Sequence, residues 1–137
     1  MSHTQLVKTI FIDSKPENVW LYLTDKDKLG EWFQPSKQDL KQGADYQLLN
    51  DAGGDMCWGR VIEASAPSKL IYTFTHDHLA GVETTVIWEL SAVHGGTMVK
   101  LTHYGFEDAN VDTLGMLISH DKGWDGHLGR LRDKAAK

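Results

Sequence analysis

Thr97-Met98-Val99-Lys100-Leu101-Thr102-His103-Tyr104, then Gly105, then a long segment from Val111 to Lys134: this stretch decides the fold. Its first part alternates. Val99, Leu101 and His103 fall on one face and Met98, Lys100, Thr102 and Tyr104 on the other, so it reads as a strand with one inward face. The second part reads as a helix, because Leu114, Leu117, Ile118, Trp124, Leu128 and Leu131 recur at three-and-four spacing. At about 100° per residue, Leu117, Trp124, Leu128 and Leu131 fall within an arc of roughly 60°, while Gly115, Gly123, Gly126 and Gly129 lie on the other side. Each interior glycine costs up to about 1 kcal/mol against alanine. The helix therefore needs a partner for its Trp-Leu face, and the strands upstream are the large apolar surface on offer.

Those strands follow from a pass along the chain. Leu6 to Ile12 is rich in β-branched and aromatic residues and reads as a strand, with Ile10 and Ile12 on one face. Ser14, Pro16 and Glu17 mark a helix start with Ser14 as N-cap. Val19, Trp20 and Leu23 form that helix's buried side. Thr24-Asp25 opens a second short helix ending near Trp32, and Pro35 closes the region. Period-two patterning then takes over. Gly43 to Leu49 is a strand, Asn50 to Asp55 a turn, and Met56 to Ala64 a strand whose inward set is either Trp58 and Ile62 or Gly59 and Val61. Ser65 to Ser68 is a turn and Lys69 to Thr75 a strand. His76-Asp77-His78-Leu79-Ala80-Gly81 is a loop, and Val82 to Leu90 alternates cleanly, with Val82, Thr84, Val86, Trp88 and Leu90 inward. His94-Gly95-Gly96 turns the chain into the opening stretch. The order is strand, two short helices, five antiparallel strands and a long helix: an α+β fold in which the helices cover one face of the sheet. A space between a curved sheet and a helix is a common small-molecule site.

Composition narrows the function classes. The chain has 137 residues, enough for one domain (1–137) with one good core. Its net charge of −5 and lack of a basic patch argue against a nucleic-acid or anionic-membrane partner. No apolar run is long enough to span a bilayer, and the first residues carry no signal pattern. The single cysteine, Cys57, rules out an intrachain disulfide framework. These features together place the protein in the cytoplasm. Five tryptophans imply a core of large flat side chains or an aromatic-lined cavity.

Several motifs together resemble the START-like, Bet v 1-like (SRPBCC) superfamily. They are Ile10-x-Ile12-x-x-x-Pro16-Glu17-x-Val19-Trp20, Thr24-Asp25-x-x-x-Leu29-x-x-Trp32-Phe33, and Gly59-x-Val61-x-Glu63-x-x-x-Pro67-x-x-Leu70-x-Tyr72-Thr73-Phe74. Thr84-x-Val86-x-Trp88-x-Leu90, Gly96-Thr97-x-Val99-x-Leu101-Thr102-His103-x-Gly105-Phe106 and Gly123-Trp124-x-x-x-Leu128-x-x-Leu131 complete the set. They run in order over nearly the whole chain. Within the superfamily the chain is most similar to the C-terminal domain of the activator of the heat-shock-protein-90 ATPase. The resemblance implies a helix-grip fold: a curved six-stranded antiparallel sheet wrapped around the C-terminal helix, with a hydrophobic cavity between them. It implies a ligand of the lipid, hormone or polyketide kind, in a few members with cyclase activity. The eukaryotic co-chaperones of this branch carry an additional N-terminal chaperone-binding domain, for which 137 residues leave no room.

The candidate cavity residues are Trp32, Tyr46, Trp58, Tyr72, Phe74, His76, Trp88, His103, His120, Trp124 and His127. The aromatic ones serve equally as cavity wall or plain core. His120 and His127 sit at the edge of the helix face that carries Trp124, as polar lining or as half-buried histidines at the sheet–helix boundary. His103, inward on its strand, needs a hydrogen-bond partner or a wet cavity. His76-Asp77-His78 lacks supporting ligands at metal spacing and reads as a loop edging the cavity mouth. Cys57 has no base beside it in sequence, and Glu63 and Glu89 read as surface charges. No motif demands a metal or cofactor. The expected activity is the binding of a small hydrophobic or aromatic molecule. The alternatives are a co-chaperone-like or regulatory interaction protein and, third, a cavity enzyme of the cyclase or hydrolase type using His103 or His120 as acid or base. Outward Ile71 and Ile87 leave both a monomer and a homodimer open.

Overall fold

A computed structural model describes residues 5–49, 55–76, 82–106 and 112–136. The expected turn at Asn50 to Gly54, the loop residues Asp77 to Gly81 and the expected helix start at Val111 lie outside the described residues. Strand β1 (Gln5–Ile12) leads into helices α1 (Pro16–Thr24) and α2 (Lys26–Trp32). Strands β2 (Asp45–Leu49), β3 (Asp55–Ser65), β4 (Lys69–Phe74), β5 (Thr84–Val93) and β6 (Gly96–Tyr104) follow, then helix α3 (Thr113–Ala135). The strands form one curved antiparallel sheet in the order β1-β6-β5-β4-β3-β2. Each neighbour but one is joined by a local connection; β1 reaches β6 because the sheet's other four strands are inserted between them in sequence.

Register sorts the side chains. Leu90, Trp88 and Val86 of β5 face Val99, Leu101 and His103 of β6 on one side and continue into Leu70 and Tyr72 of β4 on the other. All of them are buried. The opposite face of the same strands carries Lys69, Glu89 and Lys100 as cross-strand neighbours, an arrangement that suits solvent. On β3 the inward pair is Gly59 and Val61. Val61 is fully buried and Ile62 half-exposed. A register shift between Val61 and Glu63 bends the strand there, as an extra residue in one strand of a pair does.

The helices close the inward face. Asp25 caps α2 by accepting from the backbone N–H groups of Asp27 and Lys28. Ser14 does not cap α1: Lys15 occupies the cap position without a side-chain bond. The Ser14 hydroxyl instead accepts from Asn18 Nδ2 at 2.7 Å, and its carbonyl accepts from Thr97 Oγ1 at 2.7 Å. Asn18 Nδ2 also reaches the Ala135 carbonyl at 3.1 Å. One partly buried polar knot thus ties β6, α1 and the last turn of α3, and Ser14 is spent on tertiary structure. Along α3, Trp124, Leu128, Leu131 and Ala135 are buried, as the helical count predicts for the first three. The first turns differ: Leu114 is 66% and Ile118 48% exposed. A helix of 23 residues is about 34 Å long, and its C-terminal half is the part held in the main core. Lys8 of β1 anchors the middle, paired with Asp121 and Asp125 on successive turns.

Candidate functional site

The interior beneath α3 is built of rings that touch one another. Trp32 meets Trp88 edge-on at 5.8 Å between ring centres, and Trp88 meets Trp124 edge-on at 5.7 Å. Phe33 closes against Trp124 at 5.4 Å, and Tyr46 against Tyr72 at 5.2 Å. Each of these three indole N–H groups has an acceptor, as buried tryptophans require. Trp32 donates to the Tyr22 carbonyl, Trp88 to the Tyr72 hydroxyl and Trp124 to His103 Nδ1. Of the aromatic residues expected to wall a cavity, Trp32, Tyr46, Tyr72, Phe74, Trp88 and Trp124 share this face. Trp58 does not. Alternation from buried Cys57 and Val61 puts it on the outer face of β3. There it lines an open groove of about 780 Å³ with Asp45, Arg60, Ile62 and Glu83. Burial pushes the Cys57 thiol up to about 12, which removes it as a nucleophile at neutral pH.

Three of the predicted histidines come together where β4, β5 and β6 end beside α3. His103 is fully buried. Its Nδ1 accepts from Trp124 Nε1 at 3.0 Å, so Nε2 carries the hydrogen and donates to Thr84 Oγ1 at 2.7 Å. The Thr84 hydroxyl in turn donates to the Phe74 carbonyl at 2.6 Å. These partners fix the tautomer. Protonating His103 would set an N–H against the Trp124 N–H. Burial first, then the neighbouring His120 and His76, hold its pKa well below the usual histidine range. His103 is therefore a neutral structural bridge, and an acid–base role for it would break the bond that positions Trp124.

His120 and His76 make the second half. His120 Nδ1 lies 2.7 Å from the Met116 carbonyl on the preceding turn. A carbonyl only accepts, so Nδ1 bears the hydrogen and Nε2 is a bare lone pair. That lone pair faces His76 Nε2 at 3.0 Å. The two ring planes differ by 16° with centres 5.1 Å apart. The nitrogens are much closer than the centres, so the rings meet edge to edge and His76 donates. Phe106 packs on both His103 (4.5 Å) and His120 (4.8 Å), and Phe74 stands edge-on to His103 and His76. Burial lowers the His120 pKa, partly offset by its bond to Met116.

Two positions complete this corner that the sequence patterning did not single out. Thr84 stands within a clean inward-facing run, one diagonal from His103 across the β5–β6 pair. A hydroxyl in an otherwise apolar row beside an inward histidine is the signal that could have found it. Phe106 follows Gly105, whose φ of 103° is a conformation glycine adopts without strain. A Cβ there would also meet Thr84 Cα at 3.3 Å. Phe106 heads a second, small apolar cluster with Leu6, Val82, Met116 and Leu117, joined to the main core through Leu6, which packs against both; His103 and His120 both lie against the Phe106 ring. His127 sits elsewhere, against Phe33 at 4.6 Å with Nδ1 2.5 Å from Arg130 Nη2. Burial and the nearby Arg130 charge lower its pKa to about 4. Among the described residues no three histidine, cysteine or carboxylate side chains converge as metal ligands, and no helix is long and apolar enough to cross a membrane.

Comparison with solved structures finds the same fold repeatedly. Protein MLL2253 from Mesorhizobium loti superposes with a TM-score of 0.83 at 21% identity, over 96% of each chain. CalU16 from Micromonospora echinospora gives 0.79 at 21%, over 96% of this chain and 75% of its own. PFC0360w, an HSP90 activator from Plasmodium falciparum, gives 0.75 at 21%, over 93% of this chain and 92% of its own. Among curated protein sequences none matches. The family profile described as "Activator of Hsp90 ATPase homolog 1-like protein" matches residues 13–135, a span running from the turn after β1 to the last residue of α3, and the chain belongs to that family.

Proposed function

We propose that this protein binds a small, mainly aromatic or apolar molecule at the corner where His76, His103 and His120 meet, beneath the N-terminal half of α3. The observation that carries the reading is the break in the core at that corner. Hydrogen-bonded imidazoles interrupt the apolar packing beside Phe106, where its small cluster meets the main core through Leu6, and the overlying turns of α3 leave Leu114 and Ile118 outside the core. A mixed aromatic and polar lining is what orients a small ligand.

Native mass spectrometry of gently purified protein tests this directly. The expected result is an added mass that vanishes on denaturation and is lost in His120→Leu but retained in His127→Gln, which alters the far end of α3. Retention of the added mass in His120→Leu would move the site elsewhere.

The likeness to an HSP90 activator supports a second reading, an interaction protein for a chaperone of that class. It predicts co-purification with the chaperone that His120→Leu leaves unchanged.

A further inference from the structure

We infer that the groove on the outer face of the sheet is a separate binding site, and that it takes a short neutral sugar stacked on the Trp58 ring. The site stands on its own observations and does not depend on the histidine corner, which lies beneath α3 on the opposite face. The groove, about 780 Å³, falls within the range of small-molecule sites, about 300–1,000 Å³. It opens where the pairing of β3 with β4 is irregular. Trp58 and Thr75 exchange backbone bonds at 3.1 and 3.0 Å. Further along β3, hydroxyls enter the ladder. The Arg60 N–H donates to Thr73 Oγ1 at 2.9 Å, and the Thr73 carbonyl accepts from the Tyr46 hydroxyl at 2.6 Å. Register then shifts between Val61 and Glu63. Such irregularities bend a strand and re-aim its side chains, and they are over-represented beside active sites. Gly59 has no side chain to fill the gap, and the groove's lining includes both Gly59 and Tyr46.

The lining sets the ligand's chemistry. Trp58 is half-buried and Ile62 is exposed beside it, so a flat apolar surface faces the groove. Around it stand Asp45, Arg60 and Glu83. Arg60 Nε lies 3.6 Å from Asp45 Oδ1, and both side chains are largely exposed. Such a pair is weak and exchanges readily for bonds to a ligand. Glu83 Oε2 accepts from the Thr73 hydroxyl at 2.9 Å, which holds the carboxylate at the groove. Two carboxylates against one guanidinium disfavour an anion. A wholly apolar body would strip water from all three charged groups without bonding them. A sugar meets both conditions. Each of its hydroxyls can donate and accept, so it can donate to Asp45 or Glu83 and accept from Arg60. The C–H face of its ring suits the negative face of an indole.

The test is an NMR titration of the isotope-labelled full chain with maltose, cellobiose and lactose, and with tetramethylammonium chloride as the competing class. At least one sugar should give saturable shifts at the Trp58 indole N–H and at the backbone amides of Gly59, Arg60 and Thr73, with the Trp124 indole unmoved. Trp58→Ala should weaken that binding at least about tenfold, as loss of a stacked tryptophan anchor does. Glu83→Gln keeps an acceptor for the Thr73 hydroxyl and should weaken it several-fold; it decides alone if Trp58→Ala does not fold. His120→Leu should leave sugar binding unchanged, so this site and the histidine corner stand or fall separately. No saturable shift with any of these sugars up to its solubility limit, shifts confined to other residues, or an affinity unchanged by Glu83→Gln and by a folded Trp58→Ala overturns the site. Tighter binding of tetramethylammonium than of every sugar at the Trp58 indole overturns the sugar as its ligand.

Discussion

At the scale of single residues, the bond from Trp124 to His103 explains why a histidine stands in the middle of an apolar strand face. The imidazole accepts from an indole on α3 and donates to a hydroxyl on β5, joining three elements with one small ring. His103→Leu should therefore cost about 1–3 kcal/mol at neutral pH by leaving the Trp124 N–H buried and unpaired. Trp124→Phe removes the same bond from the other side. In a double-mutant cycle read by urea denaturation, the pair should cost less than the sum of the two. Strict additivity would mean that the bond carries no stability. Gly59 is a second residue whose identity is dictated by a neighbour. A Cβ at that position would stand 2.0 Å from the Thr73 carbonyl oxygen, which is itself held by the Tyr46 hydroxyl at 2.6 Å. The obstruction is backbone in a paired strand and cannot swing aside. Gly59→Ala should destabilise by at least about 1–3 kcal/mol, the range for overpacking, and a neutral result in the same assay would show that β3 and β4 separate freely there.

At the scale of elements, α3 divides into two parts with different duties. Trp124, Leu128, Leu131 and Ala135 are buried in the main core, while the turns carrying Leu114 and Ile118 present them outward. Thermal melts of a substitution series should show the division. Trp124→Ala should cost roughly 3–5 kcal/mol and Leu128→Ala about 2–5. Leu114→Ser should stay within about 0.5 kcal/mol, as exposed substitutions do. A large cost at Leu114 would place that turn inside a packed interface. The same helix shows what a sequence can and cannot reveal. Its extent and the arc of Leu117, Trp124, Leu128 and Leu131 are legible because helical periodicity is a property of the chain alone. That Leu114 and Ile118 stand outside is not, because whether an apolar stripe is covered along its whole length depends on the shape of the partner sheet. Strand faces followed the same logic. Clean alternation decided β5 and β6, whereas on β3 the choice between Trp58 and Val61 rested on pairing with β2 and β4. Ser14 misled because a serine two residues before a helical proline carries the same local signature whether it caps or reaches across to Thr97. At the site, the histidines were visible as residue types in roughly the right places. Their partners were not, since Thr84, Met116 and Phe106 acquire their roles only through hydrogen bonds and ring contacts between elements.

At the scale of the whole molecule, the titratable groups in the interior set the pH range in which the fold is stable. His103, His120 and His127 all have pKa values lowered from 6.5, in each case chiefly by burial. Each is neutral in the folded state and takes up a proton more readily once unfolded. Their neutral forms therefore favour the fold fully above pH 6.5, and that contribution is lost progressively as pH falls below it, down to about 4 for His127. On the alkaline side Cys57, Tyr46 and Tyr72 have pKa values raised by burial from ordinary values of 9.0, 10.0 and 10.0. The unfolded chain releases those protons first, so their contribution is present below pH 9 and lost as pH rises above it. The stability curve should be a plateau between about pH 6.5 and 9, falling on both sides. Urea midpoints measured from pH 4 to 11 would trace it. His103→Leu should lower the plateau and flatten the acid limb, since one of the groups that must stay neutral is gone. Cys57→Ala should flatten only the onset of the alkaline limb. An acid limb unchanged in His103→Leu would mean that His103 keeps an ordinary pKa in the folded protein, and with it that the Trp124–His103–Thr84 bridge does not hold the ring in its neutral form.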